Sequence, residues 1–252
     1  MWEGLQDHEW TDAQLVELDR ALGKLDFLAD YEFAMRGERV LSMANIEYLR
    51  RTRHLSDFTS NGEDSTPGIV QAAYHLIPNS VFYQNELAVA RAHQEWIFPI
   101  VDVGQHAVSP EKTRLAGEKV AELGEHWSPN TLLARMLLPA LGASAKKFAH
   151  EQSVVDMARI ACALERFRLA QGAFPESLDV LAPSFIASLP HDVIGGQPLI
   201  YRRTDDGRFA LYAVGWNGTD DGGKVVLREN SKGSIDYDKG DWVWAGQTIG
   251  SE

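Results

Sequence analysis

The apolar residues in the middle of the chain recur at steps of three and four, which is the spacing of one face of an α-helix. They are Val154, Met157, Ile160, Ala161, Leu164 and Phe167. Charged residues take half of the positions between them, namely Asp156, Arg159, Glu165 and Arg166. This pattern predicts a long helix with one buried stripe, in which Leu164 and Phe167 are largely buried.

The hydrophobic pattern changes after this helix. Gly172 and Pro175 indicate that the helix ends near Gln171, because glycine accepts the left-handed C-terminal position and proline cannot continue the helix. Short runs of aromatic and β-branched residues then occur at 198–201, 209–214 and 224–227. They are separated by Asp205-Asp-Gly207 and Asn217-Gly218, which are hairpin turn sequences. We predict a small antiparallel sheet that packs on the helix, with strands only after about residue 195.

The first part of the chain shows helical periodicity alone. Thr11 and Gln14 form a capping box that predicts a helix from Asp12. Further helices are predicted at about 25–55, 80–97, 110–123 and from 129 onward, with a loop at 56–68. The predicted fold class is α+β, with an all-helical domain at 1–139 and an α+β domain at 140–252.

Several pieces of the second domain follow a particular order. They are Ala163-Leu-Glu-Arg-Phe-Arg-Leu-Ala-Gln-Gly-Ala-Phe-Pro175, Leu189-Pro-His-Asp192, Gly196-Gln-Pro-Leu-Ile-Tyr201, Gly207-Arg-Phe-Ala-Leu-Tyr-Ala-Val-Gly215, and Asn217-Gly218 with Asp220. Together they resemble the globular domain of the major pseudopilins of type II secretion, over about residues 150–244. The resemblance implies a pseudopilin-like helix packed on a small sheet, and a place in an envelope or secretion assembly. The family's leader and apolar N-terminal helix do not occur in this sequence, so an anchor upstream of Met1 stays open.

Acidic residues cluster around the last predicted turns. The candidate metal ligands are Asn217, Asp220, Asp221, Asp236, Asp238 and Asp241. Ca²⁺ takes about six to eight oxygen ligands, which short acidic side chains and turning backbone can supply. The resemblance implies a structural calcium here, because Val214-Gly215 and Asp236-Tyr-Asp238 occupy the places of the family's flanking segments. The other interpretation, that these residues form Asx turns and hairpin tips, stays open.

Charge and composition limit the kinds of partner that we expect the protein to bind. The formal net charge of −12 disfavours nucleic acid and anionic membrane surfaces, since phosphate binding needs a basic surface. We expect no membrane span, because the most apolar stretch near residues 132–141 is too short and contains Arg135. Cys162 is the single cysteine, so no intramolecular disulfide can form, and we expect it to be a small buried apolar residue.

The sequence shows no catalytic motif. Neither a His-Glu-x-x-His pair nor a Gly-x-Ser-x-Gly elbow occurs, and the nearest acid/base candidates are His93 and His191-Asp192. We therefore predict a non-enzymatic structural or interaction protein, with protein partners or self-association through the long helix. The alternative is a carbohydrate- or peptide-binding module that uses the acidic loop and exposed aromatic residues. Trp242 and Trp244 alternate at strand spacing and should point the same way.

Overall fold

The computed structural model describes Leu5 and residues 8–53, 74–125, 128–138, 142–204, 207–228 and 234–244. The predicted loop at 56–68 lies outside the described residues. The described helices are α1 (Asp12–Leu22), α2 (Phe27–Thr52), α3 (Asn79–Ala92), α4 (Pro110–Glu125), α5 (Leu132–Leu137) and α6 (Gly142–Gln171). The described strands are β1 (Val101–Asp102), β2 (Ala107–Val108), β3 (Ile200–Arg203), β4 (Phe209–Ala213), β5 (Val225–Leu227), β6 (Ile235–Gly240) and β7 (Trp242–Val243). The α+β prediction is confirmed.

The ends of the helices follow local sequence signals. Thr11 accepts a hydrogen bond from the backbone of Gln14 and completes the predicted capping box of α1. Gly172 follows α6 with a φ of +82°, as a left-handed C-terminal glycine does. A π-helical turn extends α3 through His93–Ile97 to the predicted end, and a short 3₁₀ turn over Phe98–Ile100 contains Pro99, which cannot continue a helix.

A short hairpin interrupts the part of the chain that was predicted to be all-helical. Strands β1 and β2 pair antiparallel, Val101 with Val108 and Asp102 with Ala107. Asp102 Oδ1 accepts a 2.9 Å hydrogen bond from the backbone of Gln105, which closes the turn. The restriction of strands to residues after about 195 is therefore wrong at this hairpin. Two residues per strand are too few to produce an alternating pattern that sequence can show.

Contacts divide the chain into two units. One comprises Met1–Tyr31, Val101–Pro110 and Ala145–Glu252, and the other comprises Glu32–Ile100 and Glu111–Ser144. This division differs from the continuous domains predicted at 1–139 and 140–252. Local periodicity assigns residues by element type, whereas packing assigns the hairpin to the unit that contains the sheet. Val108 shows this, because its N–H donates to the carbonyl of Val193 at 2.7 Å.

The sheet that contains β3, β4 and β7 is antiparallel, with β4 in the centre. A separate two-stranded sheet pairs β5 with β6. Gly215 and Gly240 lie where the chain passes close to itself: a Cβ at Gly215 would meet the Gly240 oxygen at 1.9 Å. Gly240 also has a φ of +70°. Both positions therefore require glycine.

Helix α6 is the central element of its unit, and it is buried on more than the predicted stripe. Met157, Ile160 and Leu164 are buried as expected. Phe167 is less enclosed than Leu164, since it is of intermediate burial and packs edge-on against Phe185 at 5.4 Å. The polar residues Gln152, Ser153, Asp156 and Glu165 are buried as well. Their burial is tolerated where hydrogen bonds and ion pairs replace the contacts with water. Arg168, for example, forms an ion pair with Glu165 at 2.6 Å.

Helix α1 covers part of α6. Leu5 and Leu15 form a cluster with Ala161 and Cys162, and partly buried residues including Trp10 and Trp244 pack around it. Cys162 is buried as predicted, and burial raises the pKa of its thiol to about 12. The thiol is therefore protonated at neutral pH and acts as a small apolar group.

The second unit is helical in its described part. The polar side chain of Asn85 is fully buried on α3 of this unit. Asn85 Oδ1 accepts the N–H groups of Leu133 and Ala134 at 2.8 and 3.1 Å, and Nδ2 donates to the carbonyls of Val81 and Pro129. This amide thereby satisfies the free N–H groups at the start of α5. Among the described helices, none combines the length and the apolar character needed for a membrane crossing.

Candidate functional site

The loop after β4 contains three of the predicted ligands. Thr219 N donates to Asn217 Oδ1 at 3.1 Å, which is an Asx turn, and Asn217 Nδ2 donates to Asp221 Oδ2 at 2.8 Å. Gly222 N donates to Asp220 Oδ1 at 2.9 Å. Asn217, Asp220 and Asp221 are exposed, so their remaining oxygen lone pairs face solvent.

Asp241 anchors the backbone of this loop. Its side chain is almost fully buried, and its carboxylate accepts the N–H of Gly223 at 2.6 Å and that of Asp221 at 3.0 Å. Burial raises the pKa of this carboxyl, while the two backbone N–H groups act in the opposite direction. Asp241 is therefore placed as a scaffold residue that fixes the backbone of the acidic loop.

The remaining two predicted ligands lie on β6. Asp238 pairs with Lys146 of α6, and Asp236 lies 3.8 Å from Lys239. Asp236 Oδ1 also accepts the backbone N–H of Asp238 at 3.2 Å. In this arrangement Lys146 and Lys239 are the nearest positive charges to these two carboxylates.

The structure does not gather the carboxylates among the six predicted ligands around one point. In the part of the chain that is described, no three His, Cys, Asp or Glu side chains are positioned to share a metal ion. Asp241 directs both oxygens to backbone N–H groups, and Asp238 is paired with Lys146. Calcium binding by the exposed loop residues stays a prediction, because backbone carbonyls and water can complete a Ca²⁺ shell.

The turn that begins at Asp192 has a similar construction. Asp192 is buried, and its two oxygens accept the N–H groups of Ile194 and Val214, both at 2.8 Å. Burial raises the pKa of this carboxyl, and the backbone hydrogen bonds offset part of that effect. The Leu189-Pro-His-Asp192 piece therefore ties the turn before β3 to the end of β4. This is a structural role for one of the two acid/base candidates.

A cluster around His106 was not predicted from the sequence. His106 Nε2 lies 3.3 Å from Asp156 Oδ2, and its ring meets the ring of His191 edge-on at 6.0 Å. The hydrogen bond to Asp156 raises the pKa of His106. Gln152 continues the network, donating to Asp156 at 3.2 Å and accepting the N–H of Phe27 at 2.8 Å. The arrangement can hold a proton on His106 and connects the β1–β2 hairpin to α6.

No local signal in the sequence identifies this cluster. His106, Asp156 and His191 are far apart in the chain: they lie in the β1–β2 turn, within α6 and before β3. The other acid/base candidate, His93, is fully buried, and its Nδ1 lies 2.9 Å from the carbonyl of Val89. Burial lowers the pKa of His93, which keeps the ring neutral at physiological pH.

The tryptophans predicted to share a face differ in exposure. Trp242 is buried and its ring meets that of His150 edge-on at 5.3 Å, whereas Trp244 is partly buried against the α1–α6 cluster. Tyr237 contacts the same imidazole at 4.6 Å. Trp242 is therefore part of the core and does not offer a platform to a sugar.

The chain matches no family model, no curated protein and no solved structure. The resemblance to the major pseudopilins therefore stays a prediction, carried by the sequence pieces quoted above. Those pieces have defined positions in the fold. The first covers the end of α6, the second the Asp192 turn, the third β3, the fourth β4, and the last the acidic loop.

Proposed function

We propose that this chain is a non-enzymatic structural or interaction protein with a pseudopilin-like domain, acting in an envelope or secretion assembly. One observation carries the proposal: a long helix is followed by a small antiparallel sheet and an acidic loop, in the order in which the resembling pieces occur. The resemblance implies the assembly role, and the fold order supports it.

The use of the buried carboxylates also supports a structural role. Asp192 and Asp241 accept backbone N–H groups from Val214 and Gly223, and so hold the two ends of the loop that follows β4. Buried carboxylates with several backbone hydrogen bonds stabilise one loop conformation. A rigid loop surface of this kind suits contact with another protein.

The assembly role is tested in cells of the source organism. Crosslinking followed by detection of the native protein should show complexes larger than a monomer in the envelope fraction. The proposal would be overturned if the protein stayed monomeric after crosslinking and occurred only in the soluble fraction.

A calcium titration tests the pseudopilin-like loop separately. Binding to the native state alone stabilises it by about 2.7 kcal/mol at 100 times the dissociation constant, so the melting temperature should rise with Ca²⁺ relative to chelator. Asp220→Ala and Asp238→Ala should each remove most of that rise if the carboxylates rearrange onto one ion. Asp179→Ala, an exposed residue of another segment, is the control.

The outcome separates the two interpretations of the acidic residues. Magnesium should substitute poorly, because it requires a tighter octahedron and loses water reluctantly. Equal melting curves in calcium and in chelator would show that Asp220 is an ordinary turn residue and that the resemblance does not extend to calcium binding. The result of the crosslinking experiment would not be affected.

A further inference from the structure

Helix α2 exposes a continuous apolar face. Its large apolar residues Phe33, Val40, Leu41 and Tyr48 are 79%, 64%, 55% and 48% exposed. Gly37 and Ala44 are exposed between them. The spacing of three and four places all six on one side of the helix, here called the α2 stripe. Such a contiguous exposed apolar patch marks an interaction surface more often than scattered apolar residues do.

The order of residues along the α2 stripe is symmetric about its midpoint, which lies between Val40 and Leu41. The aromatic residues Phe33 and Tyr48 are equally far from this midpoint on either side. The small residues Gly37 and Ala44 are also equally far from it. A surface with this symmetry is complementary to itself when a second copy approaches in the antiparallel direction.

The charges at the two ends of the stripe have the same symmetry. Asp30 lies one turn before Phe33, and Arg51 lies one turn after Tyr48, at equal distances from the midpoint. Both residues are exposed, and Arg51 also forms an ion pair with Glu47 of its own helix at 2.5 Å. Antiparallel pairing brings Asp30 of each copy beside Arg51 of the other. Parallel pairing would bring like charges together, which is unfavourable.

The small residues complete the fit. A Cβ added at Gly37 would meet no atom within 4 Å, so the space beside this position is open to another helix. Small residues at Gly37 and Ala44 let two helix backbones approach closely on either side of the central pair. The large residues then pack at the centre and at the ends.

We propose that a second copy of this chain docks on the α2 stripe in the antiparallel direction, with Val40 and Leu41 at the two-fold axis. Self-association through α6 is the less suitable route, because Met157, Ile160 and Leu164 are buried within their own unit. The dimer concerns a different surface from the pseudopilin-like loop and stands independently of the proposed function.

Sedimentation velocity over a wide range of protein concentration tests the dimer. The intact chain should show reversible monomer–dimer exchange. Val40→Glu should raise the dissociation constant more than about tenfold, because two carboxylates would meet at the axis. Val180→Glu is the matched control, since Val180 is 52% exposed on the 3₁₀ turn Leu178–Leu181 and belongs to a different unit from Val40. A monomer at every concentration, or a dimer that tolerates Val40→Glu, would overturn the proposal.

Charge reversal tests the orientation. Asp30→Lys and Arg51→Glu should each weaken the dimer, and the double variant should recover most of the lost affinity because the end pairs are restored with exchanged signs. Circular dichroism at low concentration shows whether each variant keeps its helices. If the double variant dimerised with no higher affinity than the weaker-binding single variant, this pairing of the ends would be excluded.

Introduced cysteines test the register. Val40→Cys should form a disulfide-linked dimer under mild oxidation, whereas Phe33→Cys should not, because the two copies of residue 33 would lie about 22 Å apart along the antiparallel pair. Cys162 does not interfere, since it is buried. Crosslinking of an equal mixture of Phe33→Cys and Tyr48→Cys should give the heterodimer. Efficient crosslinking of Phe33→Cys with itself would instead indicate a parallel pair and overturn the proposal.

Discussion

The two longest helices, α6 and α2, place similar residues in opposite environments. Helix α6 buries the carboxylates of Asp156 and Glu165 beside its apolar residues. Helix α2 buries Met35, Ile46 and Leu49 on one face but exposes the apolar stripe on another. An apolar position on a helix therefore does not indicate burial by itself, and a charged position does not indicate exposure.

The difference has a physical cause in the partners of each helix. On α6, Gln152 and His106 hydrogen-bond to Asp156, while Arg168 and His8 contact Glu165. These two carboxylates therefore have polar partners although they are buried away from water. On α2, the stripe stays exposed to solvent, with Phe33 and Val40 79% and 64% exposed. The comparison predicts unequal responses to matched substitutions.

The largest expected difference is between Leu164→Ala on α6 and Leu41→Ala on α2. Leu164 is 0% exposed, and its truncation should cost about 3 kcal/mol because it leaves a cavity. Leu41 is 55% exposed, and its truncation should change the stability of the monomer by less than about 0.5 kcal/mol. Urea unfolding at low protein concentration measures both. Equal losses would mean that α2 is as fully packed as α6.

A smaller difference is expected for acidic residues. Asp156→Ala should cost about 2 kcal/mol, because it removes the acceptor of Gln152 and His106 inside the core. Glu38→Ala, at an exposed position of α2, should stay within about 0.5 kcal/mol of the wild type. The same urea titration applies. If Asp156→Ala were neutral, the His106 network would contribute nothing to folding.

Replacement of the glycine in α2 should increase the stability of the monomer rather than reduce it. Gly37→Ala should stabilise the monomer by about 0.5 to 1 kcal/mol, because alanine has the higher helix propensity and the site is open. Thermal melting of dilute protein is the measurement. Gly215→Ala is the opposing control, since its Cβ would collide with the Gly240 oxygen and lower the melting temperature.

The smallest effect is expected from the titration of His106. Its pKa is raised by Asp156, so the stabilisation is complete below about pH 6.5 and is lost as the pH rises through the higher folded value. The difference in unfolding free energy between the wild type and His106→Gln should therefore shrink from about pH 6 to about pH 9. A difference that grows with pH would contradict the assignment. Single-site histidine NMR identifies the group.

Several elements could be predicted from particular residues. Thr11 with Gln14 marked the start of α1, Gly172 marked the end of α6, and the β3–β4 hairpin followed from alternating residues on either side of Gly207. The acidic residues could be found as a group but could not be assigned to sites. Asp241 and Asp238 look alike in sequence, yet one accepts buried N–H groups and the other pairs with Lys146.

What the sequence determined by itself is local: the helical period, the caps, the hairpin turn at Gly207 and the α+β class, because each depends on residues a few positions apart. The hairpin predicted at Asn217-Gly218 is wrong, since β4 pairs with β3 and β7 and β5 pairs with β6. Only the tertiary structure decided which carboxylates are buried, that His106 meets Asp156, and that one face of α2 is exposed. These features depend on which distant segments pack together. A hydrophobic pattern shows that a face should be covered, whereas packing decides what covers it.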